Sequence, residues 1–208
     1  MERGHNVYVE KPPAGTVQEV DRMIKAVADS GRICALGFQA IYGRSINWIK
    51  QRIVSGALGE VRRMRCWAFW PRPDAYYARN EWAGKLRLGP TWVLDGPSNN
   101  ALSHQIANML YLASPRERTF ALPVTVRAEL YHARDIESED TSAIEITTAE
   151  GAVAHYLVSH CTAGEQTGRA RMRDRVGIVR RCDDVIEALA QCRKLAFWVD
   201  DELLNLFR

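Results

Sequence analysis

The sequence predicts an α/β (α+β) protein, with one parallel βαβ unit near its start followed by a mostly antiparallel sheet carrying helices on one face. Three observations predict this. Val7-Tyr8-Val9 and Ile33-Cys34-Ala35-Leu36-Gly37-Phe38 are short apolar runs flanking a helical period, and strand, helix and strand in about thirty residues make a parallel unit. From Gly59 the apolar period changes to two, the signature of a strand with one buried face. The later strands follow a helix without interleaved crossovers, which favours antiparallel pairing with helices on one side.

The elements follow in order. The first strand ends at Glu10-Lys11-Pro12-Pro13, because two successive prolines cannot continue a ladder. Thr16 with Glu19 three residues on forms a capping-box pattern, Val17, Val20, Ile24, Val27 and Ala28 give a helical stripe, and Gly31 stops it. A second helix carries Ile46, Ile49 and Ile53 and ends at Ser55-Gly56. Met64, Cys66, Ala68 and Trp70 then alternate with Arg63, Arg65, Trp67 and Phe69. Residues 71–95 read as a long irregular segment rich in aromatics and charges, and a loop of that length is usually functional. A helix is expected from about Ser98 to Ala113, with Leu102, Ile106, Met109, Leu110 and Ala113 on its apolar face and Asn100, His104, Asn108 and Tyr111 opposite. Val124, Val126, Ala128 and Leu130 alternate with Thr125, Arg127, Glu129 and Tyr131 in a further strand. Residues 141–148 and 152–161 form an expected hairpin closed by Ala149-Glu150-Gly151. After about Ala163 an arginine-rich stretch leads to an expected helical tail over 184–207.

Composition limits the function classes. The 208 residues carry 47% hydrophobic and 25% charged side chains, ordinary for a globular protein, and a net charge of +3 gives no argument for nucleic acid. The arginine run 169–181 lacks a recognisable nucleic-acid module and reads as a solvated tail. Five scattered cysteines, never in a CxxC pair, read as reduced thiols. His155 and His160 stand five apart and face opposite ways along a strand, so they are poor joint metal ligands, and no metal is expected. No apolar run reaches membrane-spanning length and residues 1–6 lack a signal-peptide core, so the expectation is a soluble cytoplasmic protein without membrane partners.

The chemistry-bearing residues lie at strand and helix ends. Glu10 and Lys11 stand at the C-terminal end of a strand, where open α/β sheets place their ligands. On pattern alone the plain reading of Lys11 is a solvated lysine paired with Glu10. Asn100, His104 and Asn108 recur every four residues on one helix face, either a solvated side or the lining of a site. The segment Tyr76 to Lys85, with Arg79 and Trp82, offers aromatic faces and bidentate donors suited to a polyol. It reads equally as a surface loop whose Trp82 and Trp92 fill core.

Glu10-Lys11-Pro12, Gly37-Phe38-Gln39, Gly56-Ala57-Leu58-Gly59-Glu60-Val61 and the Asn100-x-x-x-His104 helix occur in that order. In these residues the chain resembles the glucose–fructose oxidoreductase / inositol dehydrogenase (Gfo/Idh/MocA) family of NAD(P)-dependent oxidoreductases, over about residues 7–162. The resemblance implies that residues 1–40 are the remnant of a Rossmann dinucleotide-binding domain, its final βαβ unit. Residues 41–165 become a substrate and oligomerisation domain built on an open-faced sheet, and 166–208 a basic, helical tail. It implies NAD or NADP as cofactor, with Glu10, Lys11 and Pro12 at the cofactor. Lys11 and His104 become the catalytic residues, and Lys11, Arg79, Trp82, Asn100 and His104 surround a sugar-like or cyclitol-like substrate. It also implies a homo-oligomer formed through the open sheet face.

The sequence departs from the family pattern in places. Asn100 and Ala107 stand where acids are frequent, and an asparagine positions a hydroxyl without holding charge. No Gly-rich turn precedes Glu10 to seat a pyrophosphate. The expectation is therefore a fragment of an NAD(P)-dependent oxidoreductase that does not bind cofactor normally by itself. The alternative is a non-catalytic oligomerisation or binding module that uses the open sheet face.

Overall fold

The computed structural model describes residues 1 and 3–163, together with the backbone of strand residues 166–167 and 198–199. The chain opens with β1 (Val7–Val9), α1 (Val17–Ser30) and β2 (Cys34–Leu36), and β1 pairs with β2 in parallel. The expected capping box is present. Glu19 N–H donates to Thr16 Oγ1, and Glu19 Oε2 accepts from the backbone N–H groups of Gly15 and Thr16 at 3.0 and 3.1 Å. Gly31 closes the helix in the left-handed region at φ 62°, a conformation that costs glycine little. None of α1's residues is buried.

The larger body is a sheet with two helices on one face. Helix α2 (Arg44–Val54) leads into β3 (Arg63–Phe69), and helix α4 (Ser103–Ala113) precedes β6 (Pro123–Tyr131), β7 (Thr141–Thr148) and β8 (Val153–Ser159). The strand order is β3-β8-β7-β6, parallel between β3 and β8 and antiparallel elsewhere. Two short strands, β9 (Gln166–Thr167) and β10 (Trp198–Val199), add antiparallel to β3. The helix expected over 184–207 and the arginine run lie outside the described residues, except that Trp198 and Val199 pair as strand.

Register explains the core. Met64 lies opposite Ala154, Cys66 opposite Tyr156 and Ala68 opposite Val158, so one face of β3 and β8 is continuously apolar. That face is buried against Ile46 and Ile49 of α2 and Met109 and Leu112 of α4. The Tyr156 hydroxyl donates to the Leu102 carbonyl at 2.7 Å, satisfying the one polar atom this side chain brings into the core. On the opposite face Arg65, His155, Glu145 and Arg127 stand in one row across four strands, with His155 Nε2 3.1 Å from Glu145 Oε2. Strand β6 lies at the edge and is exposed along its whole length, beginning at a proline, as edge strands tolerate.

Three expectations need correction. Residues 71–95 are not wholly irregular, because they hold the short α3 (Asp74–Tyr77) and a hairpin of β4 (Arg87–Leu88) and β5 (Thr91–Trp92). Trp82 and Trp92 do not fill core; both are exposed. Asn108 and Tyr111 are buried, although they fall on the polar side of the helical stripe. Helix α4 is covered from several directions, by α2, by β8 and by the short 3-10 turn Gln39–Tyr42, so it has little solvent side to offer. Tyr111 donates its hydroxyl to Asn47 Oδ1 at 2.9 Å, and Asn108 is left with no protein partner for either end of its amide.

Lys50 brings a charged group into this layer. Its ammonium, almost fully buried, donates to the carbonyl oxygens of Tyr111, Ser114 and Thr119 and lies 4.7 Å from the centre of the Tyr111 ring. Burial lowers its pKa to about 8.

Candidate functional site

The C-terminal ends of β1 and β2 meet the segment that leads into α4. A Cβ at Gly37 would stand 2.8 Å from Glu10 Oε2 and 3.1 Å from Glu10 Cα, so glycine lets the end of β2 lie against the end of β1. Lys11, joined to Pro12 by a cis peptide bond, extends from this edge toward the second body. Its Nζ donates to the Asn100 backbone carbonyl at 2.6 Å and to Asn100 Oδ1 at 3.1 Å. Lys11 is thus not the solvated partner of Glu10 that the pattern alone suggests.

This contact lies at the opening of α4. The helix starts at Ser103, five residues after the expected start, and Asn100 lies in the turns before it. The Asn100 carbonyl accepts from Lys11 and from the Ser103 hydroxyl at 2.9 Å, so the lysine occupies an acceptor at the helix opening. His104 is the second residue of the helix, its ring edge-on to Phe38 at 5.7 Å and its Nδ1 buried without a protein partner.

Electrostatics follow the burial. Desolvation holds the Lys11 ammonium below a lysine's ordinary value, opposed by the carboxylates of Glu10 and Asp95. Desolvation, with the Lys11 charge beside it, also lowers the His104 imidazole, against a smaller opposing effect of Glu10. Both groups are shifted toward their neutral forms, which brings Lys11 closer to neutral pH and keeps the His104 imidazole available as a base.

Asp95 was not among the residues singled out from sequence. It is buried, and its Oδ1 accepts from Asn100 Nδ2 at 2.5 Å while its Oδ2 accepts from Gly84 N–H at 2.9 Å. Arg79 Nη2 lies 3.8 Å from the same Oδ2, with its guanidinium 3.6 Å from the centre of the Tyr76 ring and 4.9 Å from that of Trp82. Lys11, Asn100, Asp95, Arg79 and Trp82 therefore form one connected series, with Glu10 and His104 flanking its lysine end. Only the position of Asp95 five residues before Asn100 hints at the link in the sequence. Among the described residues no group of three or more His, Cys, Asp or Glu is placed to hold a metal, and no helix is long and apolar enough to cross a membrane.

The strand end that carries Lys11 thus meets the opening of the helix that carries His104, beside the sheet body. The family model described as the GFO/IDH/MocA C-terminal domain matches residues 46–178, and the chain belongs to this family. Among solved structures, the WlbA dehydrogenase from Bordetella pertussis in complex with NADH and UDP-GlcNAcA is 27% identical, covers 79% of this chain and 44% of its own, and superposes with a TM-score of 0.68. An NAD binding oxidoreductase from Klebsiella pneumoniae shares the fold at 20% identity, 78% and 44% coverage and a TM-score of 0.65. Myo-inositol 2-dehydrogenase from Lactobacillus plantarum does so at 20% identity, 80% and 47% coverage and a TM-score of 0.60. The chain thus spans less than half the length of each of these proteins. No curated protein sequence matches it.

Proposed function

We propose that this chain forms the substrate side of an NAD(P)-dependent oxidoreductase acting on a sugar-like or cyclitol-like alcohol, with a division near residue 40 between nucleotide-binding and substrate parts. The observation that carries this reading is the Lys11 ammonium held on Asn100 beside His104, both shifted toward neutrality by burial. The complexes of the relatives with NADH and UDP-GlcNAcA, and the inositol dehydrogenase, support the cofactor and substrate class.

A nicotinamide would supply or accept the hydride. The chain's own residues supply the rest. Lys11 Nζ, with one side engaged by Asn100, is placed to donate a hydrogen bond to a substrate hydroxyl. His104, held largely neutral, is placed to take that hydroxyl's proton in the oxidising direction and return it in the reverse. Arg79 and Trp82 offer a donor fork and an aromatic face to the remainder of a polyol.

The described residues fit the nicotinamide end of such a cofactor better than its phosphates. A pyrophosphate would need free N–H groups at a helix start, and at α1 the backbone N–H groups of Gly15 and Thr16 already bond the Glu19 carboxylate. The apolar stripe of α1 is also uncovered, with Val17 and Ile24 exposed. Cofactor binding of ordinary strength therefore requires nucleotide-binding elements beyond those described.

A second reading, a non-catalytic oligomerisation or binding module, is favoured by the exposure of β6 with Val124, Val126 and Leu130 and by the polar row on the open face. On either reading we place the protein in the cytoplasm as a homo-oligomer built through that face. Titration of NADH and NADPH into the 208-residue chain, followed by nicotinamide fluorescence, tests the first reading. The expected result is weak binding that Lys11→Met abolishes. Complete absence of binding at millimolar cofactor would leave the module reading in its place.

A further inference from the structure

We propose that Asp95 is the positioning residue of this site: its buried carboxylate fixes the Asn100 amide, and the amide in turn fixes where the Lys11 ammonium points. The inference rests on the reading of Lys11 as the group that meets substrate.

An asparagine side chain has a donor end and an acceptor end, and either can face a neighbour. Asp95 decides between them. Its Oδ1 accepts from Asn100 Nδ2 at 2.5 Å, so the acceptor Oδ1 of Asn100 is turned toward Lys11 Nζ at 3.1 Å. A flipped amide would set the NH2 group against the ammonium and its oxygen against the carboxylate, two repulsive contacts in a region of low dielectric.

The carboxylate is itself held against rotation. Its Oδ2 accepts from Gly84 N–H at 2.9 Å and faces Arg79 at 3.8 Å, and the side chain is only 3% exposed. Gly84 can present that N–H because it lies at φ 69°, where a Cβ would stand 3.0 Å from the Tyr77 ring and 3.2 Å from the Ile136 side chain. Asp95 therefore ties the Arg79–Trp82 segment to the lysine through one amide. A ligand seated on that segment is linked to the orientation of Lys11 through the Arg79–Asp95 ion pair and the hydrogen bonds that join Asp95, Asn100 and Lys11.

The readout is the titration of Lys11 itself, followed by NMR in the full chain labelled with ¹³Cε-lysine and assigned through Lys11→Arg. The titratable groups facing Lys11 are Glu10, Asp95 and His104, and all three stay in place in the reference titration. Asp95→Asn is expected to lower the Lys11 midpoint by about half a pH unit or more, through a lost charge and a freed amide. Asn100→Ala is expected to lower it as well, and Asp95→Asn added to Asn100→Ala is expected to shift it less than half as far as Asp95→Asn does alone. An unchanged midpoint in Asp95→Asn would overturn the proposal, and so would an effect that persists in full without Asn100, because the carboxylate would then act only through space. If Asp95→Asn does not fold, Asn100→Ala decides alone, and an unmoved Lys11 overturns the role. The measurement needs neither cofactor nor substrate. A shifted Lys11 in a chain that binds no nicotinamide supports the positioning role while removing the hydride-transfer reading; an unshifted Lys11 in a chain that binds NADH does the reverse.

Discussion

Helices α1 and α4 illustrate opposite ways of being held. Helix α1 has a complete capping box at one end and a left-handed glycine at the other, and buries none of its residues. Helix α4 has no side-chain cap at its start, yet Met109, Tyr111, Leu112 and Ala113 are all buried. The first is specified locally, by hydrogen bonds within a few residues; the second is specified by packing against α2 and the sheet. Caps contribute about 1 kcal/mol each, whereas burying one large aliphatic side chain contributes about 1.5–3 kcal/mol. Stability of the described residues is therefore concentrated in the sheet body, which the βαβ unit meets through Lys11 on Asn100, Phe38 against His104 and Gly15 against the Trp92 backbone.

Substitutions can break or sharpen this contrast. Ile46→Ala empties a fully buried position of α2 and should cost about 3 kcal/mol in urea unfolding; a cost below about 1 kcal/mol would show that the α2–sheet interface is loosely packed. Lys50→Met leaves buried carbonyls of α4's C-terminal end without a donor and should cost about 2 kcal/mol at neutral pH. The pH dependence has a definite sign. The folded Lys50 pKa, about 8, lies below its unfolded value, so the unfolded chain binds more protons between the two. Wild-type stability relative to Lys50→Met should therefore rise as pH increases from about 8 to about 10.4, and a flat difference would show that Lys50 titrates normally. Ile24→Ala, on the exposed stripe of α1, should change stability by less than about 0.5 kcal/mol beyond helix propensity. A loss comparable to that of Ile46→Ala would mean that a second surface covers α1 in solution.

The same contrast governs what could be read from the sequence. The βαβ unit was legible because its signals are local: proline stops, a capping box and a glycine terminator. The alternation in β3 and the β7–β8 hairpin were legible because a one-sided sheet imposes a period of two. The placement of Lys11 just past a strand end followed from the proline stop. The burial of Asn108 and Tyr111 was missed because a hydrophobic stripe marks one buried face and cannot report a helix covered on several. The start of α4 was misplaced because residues 97–102 form hydrogen-bonded turns, Leu102 N–H on the Pro97 carbonyl among them, before the helix opens. Asp95 was missed because its partner Asn100 comes within reach only through the turns of residues 96–102, whose backbone path no periodicity encodes.

Lys50 has a consequence for motion. A helix terminus usually frays because its last carbonyls find only water. Here a side chain from the neighbouring helix clasps the carbonyls of Tyr111 and Ser114 at one end of α4, while His104 stands at the other. The end of α4 opposite His104 is thereby closed by a buried ammonium in place of water, so the helix is fixed by tertiary hydrogen bonds at the terminus that would otherwise fray first.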